Sequence, residues 1–389
     1  FTINGGGFVA NANPPAYGNS ATLVYNTGGT FGRADEWSAT SGAGHPTNVT
    51  IQNNTTLDLS NNGANTARAM AGDLTIDGGS ELSMGNMSAA LTVDGNVTVN
   101  ASGTDGTLTL GNQVGGDLFV GGDFTLNGTF NGNGRLVEFN GGSPQTISGS
   151  TDPSIDFFKV DNGDGVTLDG SNLTVGNTLT LTTGTIGRNA GTETLTLPGG
   201  SNVRRSNGAL GFAPTFGGRV NVTYLAGVTT GPELAASNLN NLEVDASSST
   251  VTLASSLNPT VAGNLTLTSG TLADNGKTIT LNGDATASTG TSITGSGSLL
   301  LSGGSDTYLL QGDGMYGNVE LDETTDFASA DEAEVTAGAT LGNVTVTNGV
   351  FDVQDNGATL SGDLTVGSDG TFQISGGTAV DANGNVTVD

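Results

Sequence analysis

The chain has 389 residues, of which 65 are glycine and only 12% are charged, and its formal net charge is −28. This charge argues strongly against nucleic acid as a partner, since phosphate binding needs clustered basic side chains, and it disfavours adsorption to an anionic bilayer. Cysteine is absent, which excludes disulfides and thiolate metal sites. No apolar run approaches the roughly 20 residues that span a bilayer.

Two segments precede the regular part of the chain. Residues 1–20 are rich in Gly and Pro and predict an extended leader, in which Phe1–Ile3 and Phe8–Val9 each favour one short strand. Residues 21–70 predict the first coil or an N-terminal cap that starts a stack. Because the chain opens at Phe1 with no signal peptide, we interpret it as a processed, exported form or an excised fragment.

One phrase recurs in residues 71–389: glycine, Asp or Asn, an apolar residue, Thr and another apolar residue. Copies of the phrase begin at Gly72, Gly95, Gly263, Gly342, Gly362 and Gly384. Neighbouring copies often lie about 20–23 residues apart, the period of a coil that stacks on the previous one. Apolar residues alternate with Thr, as in half-buried strands, and the corner Gly, Asn and Asp residues are expected to supply positive φ.

These patterns together predict an all-β fold, a right-handed parallel β-helix (β-solenoid) with about 20–23 residues per coil. Disorder is the alternative for a Gly-rich polar chain, but the regular apolar alternation argues against it.

The sequence also contains a longer repeat that comprises several coils. Residues from about 122 to 186 recur at about 283–351; Gly134–Phe139, for example, matches Gly297–Ser302. Duplication of whole blocks of coils preserves the geometry of the stack and requires no catalytic residues. It therefore favours a role as a scaffold. The best helix candidate is 328–339, but the repeat alignment places part of it on a strand.

The segment Tyr224–Leu281 carries a family resemblance. It contains Thr229-Thr230-Gly231-Pro232-Glu233-Leu234 and Gly263-Asn264-Leu265-Thr266-Leu267, and it resembles the β-strand repeats of large secreted surface proteins of Bacteroidetes type and autotransporter-associated repeats. The segment with Trp37 and Asn48-Val49-Thr50-Ile51 resembles the start of such repeat regions. The resemblance covers nearly everything after Ser20. It implies a parallel β-helix, export to the bacterial cell surface, and a role as adhesin, stalk or fibre.

Catalytic residues are not predicted. Polysaccharide-cleaving enzymes of this fold need an Arg or Lys base beside calcium-binding carboxylates, or a pair of carboxylates in a groove. The two lysines, Lys159 and Lys277, each lie within an ordinary repeat phrase. For the basic pair Arg204-Arg205 we expect surface ion pairs, and for the lone His45 a place in a loop or cap.

One weak metal candidate remains. Asp161 and Asp164 lie in the Gly-rich turn Asp161-Asn162-Gly163-Asp164-Gly165, and their oxygen ligands suit calcium. The alternative is a simple turn, because the full spacing of a calcium loop is missing. For the densest acidic run, 322–334, a solvated face is the main expectation.

Five phenylalanines alternate with polar residues, and we expect them to stack in the core rather than to form a platform for sugars. They are Phe119, Phe124, Phe139, Phe157 and Phe158.

The two ends of the predicted stack suggest how copies could assemble. Gly384–Val388 is a full repeat phrase with no cap after it, so the leader of one subunit could add strands to the last coil of the next. The residues predicted for this head-to-tail contact are Phe1, Ile3, Phe8, Val9, Val386 and Val388.

The sequence thus predicts a non-enzymatic structural subunit of an extracellular bacterial filament or surface fibre that associates with itself. The shaft of a cell-surface adhesin, in contact with other surface components or glycans, is the alternative. A polysaccharide-active β-helix enzyme is a remote one.

Overall fold

The computed structural model shows a chain built almost entirely of short parallel strands. The residues that it describes are 1–9, 12–61, 65–234, 237–303, 307–323, 332–336, 338–354, 358–376 and 380–389. They form two compact units, the first made of 1–201 and 208–217 and the second of 202–207 and 218–389.

The strands average only a few residues. Those up to the end of the first unit are β1 (Thr2–Asn4), β2 (Thr22–Asn26), β3 (Thr30–Gly32), β4 (Asn48–Ile51), β5 (Thr56–Asp58), β6 (Arg68–Met70), β7 (Leu74–Ile76), β8 (Glu81–Ser83), β9 (Leu91–Val93), β10 (Val97–Val99), β11 (Ala101–Ser102), β12 (Thr104–Asp105), β13 (Thr107–Thr109), β14 (Leu118–Val120), β15 (Phe124–Leu126), β16 (Thr129–Asn131), β17 (Leu136–Phe139), β18 (Gln145–Ser148), β19 (Ser154–Asp161), β20 (Val166–Asp169), β21 (Leu173–Thr183), β22 (Thr185–Arg188), β23 (Leu195–Leu197), β24 (Asn202–Arg205), β25 (Ala209–Leu210) and β26 (Thr215–Phe216). Of these, β24 belongs to the second unit. A single turn of 3-10 helix, Asp35–Trp37, follows β3.

The remaining strands belong to the second unit. They are β27 (Val220–Tyr224), β28 (Leu239–Thr252), β29 (Thr260–Val261), β30 (Leu265–Ala273), β31 (Ile279–Leu281), β32 (Ala285–Ala287), β33 (Ser292–Thr294), β34 (Leu299–Leu301), β35 (Tyr308–Gln311), β36 (Val319–Asp322), β37 (Glu332–Val335), β38 (Thr340–Leu341), β39 (Val344–Val353), β40 (Thr359–Leu360), β41 (Leu364–Ile374), β42 (Asp381–Ala382) and β43 (Val386–Val388).

In the first unit, the strands stack into three parallel faces. The first face has the order β1-β2-β4-β7-β10-β15-β18-β20-β22-β25, and the second has the order β3-β5-β8-β13-β16. The third face runs β6-β9-β14-β17-β19-β21-β23-β26. Each coil contributes one strand to a face and the next coil pairs with it in parallel, which is the predicted β-solenoid.

The register shows why the repeat phrase forms this fold. Leu74, Val97 and Phe124 are partners on successive strands of the first face, and all three are buried. The threonine that follows each of them points outward, since neighbouring side chains of a strand lie on opposite faces. Apolar alternation therefore fills a continuous core, as predicted.

Coil length varies more than the repeat phrase suggests. Equivalent corner residues Asp73 and Asn96 lie 23 residues apart, but Asn96 and Asp123 lie 27 apart. The longer coil contains β11 and β12, a small antiparallel hairpin that turns at Gly103, whose φ is +75°. Because both strands of the hairpin lie exposed at the surface, the extra residues do not disturb the register of the core.

In the second unit, long strands pass around the corners of the coils. β28, β39 and β41 each pair along two successive sides of a coil, with shifts in register where the chain turns. Leu242, Leu265 and Ala285 form one inward row. Part of the segment considered for a helix is the strand β37, whereas 328–331 and 337 lie outside the described residues. The helix alternative is therefore wrong for Glu332–Val335.

Two short strands were predicted at the beginning of the chain, and one of them is present. Thr2–Asn4 forms β1, which pairs in register with β2 of the same chain, and Ile3 is only 3% exposed. The strand predicted at Phe1–Ile3 is thus present over residues 2–4, as the first strand of the first face. Phe8 and Val9 belong to no strand, contrary to expectation.

Candidate functional site

The corner Asn and Asp residues of the repeat phrase form hydrogen bonds from coil to coil. The backbone N–H of Asn96 donates to Oδ1 of Asp73 at 2.8 Å, and the N–H of Asp123 donates to Oδ1 of Asn96, also at 2.8 Å. The same bond continues at Thr146, whose N–H donates to Oδ1 of Asp123 at 2.7 Å. Each corner side chain therefore accepts a hydrogen bond from the equivalent backbone position one coil later. We call these rows the corner ladders.

The second unit has corner ladders of its own. The N–H of Asn264 donates to Oδ1 of Asn241 at 2.8 Å, and the N–H of Asp284 donates to Oδ1 of Asn264 at 3.2 Å. Further along, the N–H groups of Asp363 and Asn385 repeat the contact at 2.8 Å each. The ladder thus accompanies copies of the phrase in both units.

The positive φ expected of corner residues is present at other corners, such as Asn133, but not in the phrase copies. No Gly, Asn or Asp of the six phrase copies adopts a positive φ. The glycine is required by space: a Cβ at Gly95 would lie 2.5 Å from Oδ1 of Asp73 and 2.5 Å from the carbonyl carbon of Gly72. Gly362 stands in the same relation to Asn343, at 2.3 Å from its Oδ1. Glycine therefore lets the next coil approach the ladder.

A buried ion pair lies inside the second unit. Nη1 of Arg205 lies 2.5 Å from Oε1 of Glu233, which also accepts hydrogen bonds from the Tyr224 hydroxyl and the Gly231 N–H, each at 2.8 Å. Arg205 is 7% exposed and Glu233 1%. The predicted surface ion pair is therefore wrong for Arg205, although Arg204 is exposed. Burial, followed by the charge of Glu233, raises the pKa of Tyr224 well above its usual value.

Two other tyrosine–glutamate pairs share this arrangement. Tyr25 donates to Oε1 of Glu36 at 3.0 Å, and Tyr308 donates to Oε2 of Glu323 at 2.6 Å. Sequence reasoning missed all three glutamates. A signal was present for two of them, because Glu36 and Glu233 each stand directly before a large apolar residue and follow a strand with tyrosine as its last or second-last residue.

The two residues predicted to bind calcium, Asp161 and Asp164, form contacts with other residues of the chain. Oδ2 of Asp161 lies 3.1 Å from Nζ of Lys159, whose other neighbour is Oε1 of Glu138, also at 3.1 Å. The side-chain oxygen of buried Asn162 accepts the N–H of Asp164 at 2.9 Å and so fixes the turn. Across the described ranges, no group of three or more His, Asp or Glu residues is placed to hold a metal ion. The calcium site stays a prediction.

Lys159 is held at the outer surface of the third face. Its surroundings partly bury it, which lowers its pKa, but hydrogen bonds and charge from Asp161 and Glu138 more than offset this and raise the pKa above the usual value. A lysine in this state stays protonated, so it is unsuited to act as a base. Lys277 is half-buried, and His45 lies in the loop before β4 with its Nε2 buried.

The phenylalanines divide between the core and the outer surface. Phe124, Phe139 and Phe158 are buried and pack edge to face. The ring centroids of the first two lie 6.4 Å apart and those of the last two 5.4 Å apart. Phe157 is 36% exposed, and Phe119 pairs with the outward-facing Glu138. Core stacking is therefore confirmed for three residues and is wrong for Phe157 and Phe119. Register decides the difference, since adjacent Phe157 and Phe158 must point to opposite sides.

Shallow grooves lie on the outer surface of both units. In the first unit, Val114, Leu136 and Phe157 line a mainly apolar groove of about 340 Å³. In the second, a polar groove of about 470 Å³ contains Arg204 and Glu243. The Glu243 carboxylate already accepts hydrogen bonds from Thr223 at 3.2 Å and Thr268 at 2.9 Å.

The residues predicted for assembly differ in exposure. Phe1 and Phe8 are 58% and 79% exposed, whereas Ile3 is buried and Val9 is half-buried. Val386 and Val388, on β43, are 59% and 71% exposed.

Comparisons with protein-family models, with curated proteins and with solved structures found no match to this chain. In the part of the chain that the structure describes, no helix has the length and apolar character to cross a membrane.

Proposed function

We propose that this protein is a structural, non-enzymatic subunit of an extracellular bacterial filament or surface fibre. The observation that carries the proposal is the continuity of the corner ladders, which bond one coil to the next on top of the backbone pairing. In a solenoid each coil contacts only its neighbours, so interactions between coils determine how well it resists bending and unwinding. The export and location are those implied by the family resemblance.

The outer surface suits such a role. Threonine side chains occupy outward positions in rows, for example Thr75, Thr98 and Thr125 on the first face. The net charge of −28 keeps neighbouring molecules apart sideways, so contacts at the ends of the stack are favoured over lateral clumping.

Contact between copies is proposed to involve β1 of the first unit and β43 of the second. β1 lies at the end of the first face and pairs with β2. On β43, Val386 and Val388 expose apolar side chains that a further coil would cover. Phe1 and Phe8 add exposed apolar surface near β1. Because Thr2–Asn4 already pairs within its own chain, we propose edge-to-edge stacking rather than donation of a free leader.

Electron microscopy of the purified chain tests the proposal. We expect long filaments of uniform width from the unchanged protein and short particles from the double variant Val386→Asp/Val388→Asp. The matched control is Val114→Asp, which changes an 85% exposed valine away from β43 and should leave filaments unchanged. Short particles from the unchanged protein at all concentrations would contradict the filament role.

The second candidate function is the shaft of an adhesin. The outward position of Phe157 beside Val114 favours it, because exposed aromatic rings stack on the apolar faces of sugars. A glycan array probed with the unchanged chain and with Phe157→Ala tests this role. Binding that the substitution removes, together with isolated rods in the microscope, would support the adhesin.

A further inference from the structure

An arginine occupies an apolar position near the start of the third face. Arg68 on β6 is in register with Leu91 on β9, which is in register with Leu118 on β14, and both leucines are buried. Arg68 itself is only 2% exposed. The stack therefore places a guanidinium group where the following coils place leucine.

Only some of the N–H groups of this guanidinium have a hydrogen-bond acceptor. Nη1 donates to the carbonyl oxygens of Ser38 at 3.3 Å and Ala67 at 3.1 Å. Nε is buried without a hydrogen-bond partner, and Nη2 donates to no residue among those described. Arginine commonly binds a carboxylate through two parallel N–H···O hydrogen bonds.

No carboxylate of the described chain neutralises Arg68. The charge of Glu36 acts on Arg33, where it opposes the effect of burial. Burial, and then the positive charge of Arg33, lower the pKa of Arg68 to about 10. A buried charge without a counter-charge is strongly destabilising, so an anion from outside the chain would be bound with a gain in free energy.

The surroundings form an open, shallow pocket. Ser38, Thr40, Ser41 and Thr66 line it together with Arg68, and its volume is about 390 Å³. This is within the roughly 300–1,000 Å³ range of small-molecule sites. The Ser38 hydroxyl already donates to the carbonyl oxygen of Asp35 at 3.0 Å. The hydroxyl groups of Thr40, Ser41 and Thr66 beside one guanidinium match a ligand that carries both a carboxylate and hydroxyl groups. The overall charge of −28 disfavours polyanions, which favours a ligand with one carboxylate.

We propose that the pocket at Arg68 binds a small hydroxylated carboxylate of the sugar-acid class. The carboxylate pairs with the guanidinium group of Arg68 where it lines the pocket, and the hydroxyl groups of the pocket bind those of the ligand. This inference does not depend on filament formation.

Isothermal titration calorimetry with D-glucuronate tests the proposal. We expect saturable binding of glucuronate, and no saturable heat with D-glucose, which lacks the carboxylate. Arg68→Met should weaken binding at least about tenfold, since a hydrogen bond to a charged group is worth that much or more. Arg219→Met, which removes an exposed arginine, is the matched control and should bind as the unchanged protein does.

A second variant keeps the test valid if Arg68→Met fails to fold. Thr66 is exposed at the pocket, so Thr66→Trp should leave the core intact and block the ligand. The proposal is overturned if glucuronate gives no saturable heat, if Arg68→Met or Thr66→Trp binds it unchanged, or if glucose binds equally well. Sulfate that binds as tightly as glucuronate would equally overturn the assignment to hydroxylated carboxylates.

Discussion

The hydroxyl group of Tyr224 lies 2.8 Å from Oε1 of Glu233, the same oxygen that faces Nη1 of Arg205. A tyrosine donor and a guanidinium thus share one buried carboxylate oxygen in the second unit. The arrangement lies at the start of the second unit, much as Tyr25 and Glu36 lie at the start of the first. It gives the interior a specific polar contact that a purely apolar stack would lack.

Removal of the Glu233 carboxylate should destabilise the protein strongly. Glu233→Leu leaves Arg205 buried without its counter-charge, and we expect a loss of about 3–5 kcal/mol in the free energy of unfolding, measured in urea. The double variant Arg205→Met/Glu233→Leu should recover most of this loss, because it removes both charges. Glu320→Leu, on the outer surface, is the control. A small effect of Glu233→Leu would show that the pair is not the determinant of stability proposed here.

The corner ladder can be tested by loss of one acceptor. Asn96→Ala removes the Oδ1 that accepts the N–H of Asp123. We expect a loss of about 0.5–1.5 kcal/mol in the free energy of unfolding, the value of an ordinary hydrogen bond. Hydrogen exchange at the Asp123 amide should accelerate as well. Asn140→Ala, at an exposed position outside the ladder, should change neither quantity.

The glycine next to the ladder should tolerate no side chain. In Gly95→Ala the new Cβ would overlap Oδ1 of Asp73 and the backbone of Gly72, so the coils must separate locally. We expect a loss of about 1–3 kcal/mol, as in other overpacked sites. Gly142→Ala is the matched control, because a Cβ there meets no atom within 4 Å. Equal stability of the two variants would contradict the close approach of the coils.

Glu193 should make stability depend on pH in the acid range. Hydrogen bonds from its own backbone N–H and from those of Gly170, Ala190 and Thr192 lower its pKa, against the opposing effect of burial. A carboxyl group with a lowered pKa stabilises the fold above its unfolded pKa of about 4.3, and this contribution is lost as the pH falls through the folded value.

Melting temperatures of the unchanged protein and of Glu193→Gln provide the measurement. The unchanged protein should melt higher at pH 7, and the difference should shrink as the pH falls below 4. Glu320→Gln, on the outer surface, should show no such trend. A difference that stays constant down to the lowest pH would exclude Glu193 as its source.

Much of the fold could be predicted from the sequence because its determinants are local and repeated. The alternation in Leu74-Thr75-Ile76 defines one inward and one outward side, and the same phrase one coil later fixes the register. The side on which Phe157 lies could not be predicted. Two adjacent phenylalanines are ambiguous until the pairing of Phe158 with Val137 is known.

The buried polar groups were not predictable for a different reason. Glu233 reaches Arg205 over 28 residues, so the contact exists only after a whole coil has closed. Arg68 likewise follows from register, since its inward position depends on pairing with Leu91. Composition led us to expect surface ion pairs, because acidic residues are abundant and most charged residues of a chain are exposed.

The central claim is that successive coils stack in parallel and in register. Thr50, Thr75, Thr98, Thr125, Ser148 and Asp169 form one outward row across six strands of the first face. Five steps of about 4.8 Å each give a separation of about 24 Å between its ends. The chain has no native cysteine, so spin labels can be placed on Thr50→Cys and Asp169→Cys alone.

The distance between these two labels, measured by double electron–electron resonance, is the most direct test. The stacked coils predict one main distance near 24 Å, broadened only by the label linkers. An unstructured segment of this length would give a broad distribution centred near about 60 Å. A main distance beyond about 40 Å, or such a broad distribution, would contradict the stack on which the proposed function depends.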